Sequence, residues 1–121
     1  MKSPRIASLT IVVLFLGLIG LISAQEKKVL DGKQIFLGQK CNMCHAVSSA
    51  NIQATTKSEA MKGPDLTGRL ASKDATVIAD ELRKKKNMPN GKPHPKAFTG
   101  TDEELGALIA WLQSQKASAR K

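Results

Sequence analysis

The chain contains two cysteines, and they stand three residues apart in the run Cys41-Asn42-Met43-Cys44-His45. A disulfide at this spacing would close only a tiny loop and constrain the unfolded chain little. The pair therefore reads as chemical rather than structural. Where a helix ends, residues at i, i+3 and i+4 share a face. Both thiols and the His45 imidazole are then presented to one side, and whatever the chain folds into must put something against that side.

The remaining sequence says why. Residues 1–24 open with Lys2 and Arg5, continue as an uncharged stretch from Ile6 to Ala24, and close with Ile22-Ser23-Ala24. A basic start, an apolar run and a small terminal residue describe an export signal cleaved after Ala24. An uncleaved membrane anchor is the competing reading, since the uncharged stretch approaches the roughly 20 residues a spanning helix needs. Two glycines interrupt the run and favour cleavage. The chain that follows, residues 25–121, keeps 17 of the 19 Lys and Arg once Lys2 and Arg5 are removed, against 10 Asp and Glu, for a net charge of +7. Its aromatics are Phe36, Phe98 and Trp111. A domain this small buries limited surface and often needs a staple or a bound group. With three aromatics its own core is thin.

The motif names the group. Cys-x-x-Cys-His is the attachment signature of c-type haem. The two thiols add to the two vinyl groups on one haem edge, and His45 on the same face turns its imidazole to the iron. Two rivals use the same residues. A redox-active Cys-x-x-Cys sits beside a βαβ pattern, and no run here alternates with period two. Zinc could draw on Cys41, Cys44, His45 and His94, but His45 follows Cys44 directly, and zinc sites space their second pair further apart. Haem also supplies the missing core.

The pattern predicts an all-α domain of about four helical stretches. The first runs from Asp31 to Cys44, with Leu30, Ile35, Phe36 and Leu37 toward the core. Ala46 to Lys62 is polar and reads as a loop with one helical turn near Lys57–Met61, ended by Gly63-Pro64. Asp74 to Lys86 carries Val77, Ile78 and Leu82 at helical spacing, and Pro89 stops it. Gly91, Pro93 and Pro95 force an irregular strap. Thr101-Asp102-Glu103-Glu104 is a capping box that starts a last helix with Leu105, Leu108, Ile109 and Leu112 on one face and Trp111 beside it.

From Gln25 onward the chain resembles a class I monohaem cytochrome c of the exported bacterial type. Gly32-Lys-Gln-Ile-Phe36 is similar to that family's N-terminal helix, where a glycine and an aromatic meet the C-terminal helix; the offset to Cys41 is about one residue long. Gly63-Pro64-Asp65-Leu66 resembles the loop whose proline carbonyl receives a hydrogen bond from the proximal imidazole, which implies that Pro64 orients His45. Ala110-Trp111-Leu112 resembles the end of the closing helix. The resemblance implies one covalent haem c contacted by Cys41, Cys44, His45, Pro64, Phe98 and Trp111, with His45 as proximal iron ligand.

In the family the sixth ligand is usually methionine. Met43 lies within the haem motif, and Met61 precedes the proximal loop and reads as packing. Met88 is followed by proline, as the family's ligand methionine often is. Spacing points elsewhere: the ligand in the family stands roughly 17 residues before the aromatic of the last helix. His94 is 17 residues before Trp111 and Met88 is 23. His94 is the residue expected on the metal, with Met88 and an open site as alternatives.

Between Arg83 and Gly100 lie six cations (Arg83, Lys84, Lys85, Lys86, Lys92 and Lys96) and no acid. Such a patch steers an acidic partner protein; its bland reading is a solvated face. No acid–base pair or nucleophile stands out, which points away from an enzyme. Nucleic acid is excluded for an exported protein without an aromatic platform. The expected function is one-electron transfer between redox proteins of the periplasm, by a monomer. A haem-based binder of small ligands with a displaceable sixth ligand is the alternative, and a zinc module a third.

Overall fold

The computed structural model describes residues 28–117. The expected leader or anchor, residues 1–24, lies outside the described residues. Three α-helices order the rest: α1, Gly32–Gly38; α2, Ala75–Leu82; and α3, Asp102–Ser114. Single 3-10 turns stand at Cys41–Met43, Ser48–Ala50 and Glu59–Met61. No helix among the described residues is long and apolar enough to cross a membrane.

Each α-helix starts on a side chain that satisfies its free N–H groups. Asp31 accepts from the Lys33 and Gln34 amides, and Asp74 from those of Thr76 and Val77. Thr101 and Glu104 form the reciprocal capping box expected from sequence.

The ends of the first two helices differ from the sequence expectation. The helix expected to run from Asp31 to Cys44 stops at Gly38, and Lys40 turns left-handed at φ 57°. The chain then re-enters a 3-10 turn at Cys41, so Cys41 and Cys44 lie on a tight turn of their own. The helix expected to reach Lys86 stops at Leu82. Lys84 adopts φ 57°, its amide bonds the Glu81 carbonyl at 3.1 Å, and the Lys85 amide bonds the Asp80 carbonyl at 2.8 Å. This is a Schellman cap, with lysine where glycine is usual. A terminal cap of that kind leaves no periodicity signal in a lysine run.

α1 packs across α3, and α3 also contacts α2. The α1–α3 crossing is close because Gly32 has no side chain: a Cβ there would lie 2.3 Å from Trp111 Cβ and 2.6 Å from the Ala107 carbonyl oxygen. Phe36 meets Trp111 beside it, ring centres 5.5 Å apart and planes tilted by 52°, a favourable aromatic geometry. The buried apolar set is Phe36, Val47, Ile52, Ile78, Phe98, Leu105, Leu108, Ile109 and Leu112.

Val47 and Ile52 were not expected there. Their backbones pair in both directions (2.9 and 3.1 Å) around a turn in which Asn51 is left-handed, so both ends of a polar loop face inward. Glu81 is the one buried charged residue among the described residues, and Lys73 pairs with it at 2.6 Å.

Candidate haem site

Cys41, Cys44 and His45 form one turn. The Cys44 and His45 amides both bond the Cys41 carbonyl, at 3.2 and 3.0 Å. Both cysteines are free thiols and half-buried. Burial pushes the Cys41 thiol above its ordinary pKa, with nearby Lys96 pulling it back and Cys44 adding to the rise.

The segment after Lys62 closes over this turn. The Gly63 amide bonds the Cys44 carbonyl at 2.8 Å, and the Leu66 amide bonds the Ala46 carbonyl at 2.9 Å. The pairing lays residues 63–66 beside His45. His45 Nδ1 is 2.8 Å from the Pro64 carbonyl oxygen. A carbonyl only accepts, so Nδ1 carries the proton. In the neutral ring Nε2 then keeps its lone pair, as a metal ligand requires. Burial is the largest influence on His45 and lowers its pKa; Pro64 raises it, and His94 lowers it again.

The closeness of Gly63 is part of the same geometry. A Cβ on Gly63 would stand 2.3 Å from His45 Cε1 and 2.6 Å from Nδ1. The sequence marked Gly63 as a helix stop; the structure makes it the surface on which the imidazole lies. Asp65 braces the loop: it accepts from the Ser48 hydroxyl and amide and from the Thr67 amide. These bonds hold its carboxyl down at about 2. None of this bracing was foreseen, although Asp-x-Thr after a glycine-proline pair is a readable turn signal.

His94 lies across from His45. The ring centres are 6.1 Å apart, with planes within 14° of parallel. His94 Nδ1 donates to the Lys96 carbonyl at 2.6 Å, so it too keeps Nε2 free. Met88 sits instead at the base of a small hairpin. Its amide bonds the Lys92 carbonyl and its carbonyl accepts from the Gly91 amide, both at 2.9 Å, with Gly91 left-handed at φ 77°.

The other residues of the expected site divide. Phe98 is buried, with the Arg83 guanidinium 5.5 Å above its ring, and its amide is fixed to the Leu82 carbonyl at 2.8 Å. Trp111 is half-buried at the α1–α3 crossing, against Phe36 and Gly32. Met43 and Met61 are exposed.

A family model described as Cytochrome c matches residues 29–116. No curated protein and no solved structure matches the chain. Members of that family hold haem c covalently and are generally electron carriers rather than enzymes. The residues present fit such a group: two free thiols beside a neutral imidazole whose Nε2 is open, on a bed that a Cβ at position 63 would fill. The match runs from before α1 to beyond α3 and takes in every element that builds this constellation. The chain belongs to the cytochrome c family.

Proposed function

We propose that the protein is a periplasmic one-electron carrier, working as a monomer between larger redox proteins and holding its haem through Cys41, Cys44 and His45. Haem c supplies the iron(II)/iron(III) couple when bound. The observation that carries the reading is the locked His45 ring, held by Pro64 on one edge and lying on Gly63. A ligand fixed before and after reduction keeps reorganisation small, which suits electron transfer.

The cations between Arg83 and Lys96 give the carrier an approach face for acidic partners. Steering of this kind raises encounter rates and falls with ionic strength. Reduction of the oxidised protein by an anionic reductant (dithionite) should slow as salt is added. Reduction by a cationic one (hexaammineruthenium(II)) should quicken. Rates insensitive to salt with both reductants would remove the docking face. Rapid binding of carbon monoxide by the reduced protein would replace the carrier with a small-ligand binder.

A further inference from the structure

We propose that His94 is the second axial ligand, so that the haem iron is held between two histidines rather than by histidine and methionine. The inference rests on the haem reading above and concerns this chain's own departure from the methionine that such carriers usually use.

Three independent features place His94 in that role. The first is ring separation. Metal–imidazole bonds are about 2.0 Å, and an imidazole nitrogen lies about 1.1 Å from its ring centre, so two imidazoles on opposite sides of one metal have centres about 6.2 Å apart. The measured separation is 6.1 Å. The planes lie within 14° of parallel, so the two rings face one another across that distance.

The second is protonation. Each ring gives its Nδ1–H to a backbone carbonyl, His45 to Pro64 and His94 to Lys96. Both therefore keep the opposite nitrogen as a lone-pair donor.

The third is the anchoring of the strap. Pro93 and Pro95 flank His94 and restrict its backbone. Lys84 Nζ donates to the Pro95 carbonyl at 3.1 Å, and Lys96 Nζ to the Gln39 carbonyl at 2.5 Å. Thr99 Oγ1 donates to Gln39 Oε1 at 3.3 Å. The strap is thus tied both to the end of α2 and to the turn that leads into Cys41.

The hairpin explains the sequence spacing. Met88 to Lys92 close on themselves through a Pro-Asn-Gly turn, the three-residue loop with a left-handed glycine. The strap toward α3 therefore starts at Pro93, and His94 is its first side chain able to bind a metal.

The test is the near-infrared and visible spectrum of the oxidised holoprotein, wild type and two variants. The wild type should be low-spin without a methionine-to-iron charge-transfer band. His94→Ala retains its covalent haem through Cys41 and Cys44, and should turn high-spin or acquire a methionine band that the wild type lacks. Added imidazole should restore the high-spin form to the wild-type spectrum. Met88→Leu should leave the wild-type spectrum unchanged. A methionine band in the wild type that Met88→Leu abolishes overturns the proposal, as does a high-spin wild type or a His94→Ala spectrum that stays as it was. His94→Met should also raise the reduction potential, a readout that a merely structural histidine would not move. The salt dependence with charged reductants is separate from these spectra, so failure of the carrier reading and failure of the ligand assignment can be told apart.

Discussion

Gly32→Ala tests the crossing on which the fold depends. The added methyl carbon would sit 2.3 Å from Trp111 Cβ, 3.0 Å from Trp111 Cγ and 2.6 Å from the Ala107 carbonyl oxygen. Ordinary carbon–carbon contact begins near 3.5 Å, so the nearest approach is short by about 1.2 Å. None of the three atoms can swing aside. Two belong to the stiff root of a tryptophan and the third is helix backbone. The helices must therefore part. A gap of about 0.5–1 Å already forfeits a quarter to a half of each contact's attraction, and the contacts at stake include buried Phe36 and Leu108. Overpacking of this kind costs about 1–3 kcal/mol. The rigidity of the obstacle puts Gly32→Ala in the upper half of that range. The glycine-to-alanine gain in helix propensity is small at the first helical position.

For a domain of this size, 2–3 kcal/mol lowers Tm by roughly 10–20 °C. Gly38→Ala is the internal control, since nothing stands within 4 Å of its Cβ position and its backbone is not left-handed. It should gain about 0.4–1 kcal/mol through the unfolded chain. The assay is thermal unfolding of both holoprotein variants followed by far-ultraviolet circular dichroism. A Gly32→Ala protein that melts within about 3 °C of wild type, on the scaling used above, would refute the close-crossing argument. So would equal losses at positions 32 and 38.

Three further outcomes follow from the site and its supports. Gly63→Ala should push the His45 ring off its bed, since the new carbon would stand 2.3 Å from Cε1; the oxidised spectrum should show a growing high-spin fraction with the haem still attached. Asp65 has its carboxyl held at about 2, below the ordinary 3.8. The unfolded chain therefore binds the proton more readily, and the stabilisation is complete above about pH 4 and lost as pH falls through about 2. Asp65→Asn should flatten that part of the curve of unfolding midpoint against pH. Thr101→Ala removes the acceptor for the Glu104 amide and should cost about 1 kcal/mol, read as a lower urea midpoint with unchanged slope.

The parts of the molecule that could be read from sequence are those fixed by local chemistry. The α3 start needs only Thr101 and Glu104, three residues apart in the chain, and its buried face repeats at helical spacing. The haem turn is five consecutive residues. What escaped reading depends on partners far along the chain. Val47 and Ile52 pair with each other and join the buried cluster that holds Phe36 and Leu108, yet the residues between them are mostly polar. Gly63 carries the His45 ring through a contact across 18 positions. The left-handed Lys40 and Lys84 escaped for another reason: their turns are closed by local backbone bonds, to the Leu37 and Glu81 carbonyls, and lysine gives no hint of that conformation. His94 stands between these cases. Its distance to Trp111 was legible, but the hairpin that accounts for the distance rests on the Met88–Lys92 pairing, which only the folded backbone displays.

The basic segment joins the two kinds of information. As sequence it is six like charges, open to being either a docking face or a solvated surface. The structure divides them by what each touches. Arg83 donates to the Gly100 carbonyl and to Asp102, the latter at 2.6 Å, and covers Phe98; Lys84 and Lys96 bond the Pro95 and Gln39 carbonyls. These three tie the strap that carries His94. Lys85, Lys86 and Lys92 are exposed and make no side-chain hydrogen bond among the described residues. Steering is a property of summed charge, so both sets contribute to it, but only the first is also structural. Neutralising Lys85, Lys86 and Lys92 together to Gln should therefore lower the salt dependence of reduction by dithionite and leave Tm and the oxidised spectrum unchanged. Neutralising Lys84 and Lys96 should reduce the salt dependence less, because fewer charges go, yet loosen the strap, lower Tm and broaden the low-spin spectrum. Identical consequences for the two sets would mean that the strap is held by its prolines alone and that the lysine bonds to Pro95 and Gln39 contribute nothing.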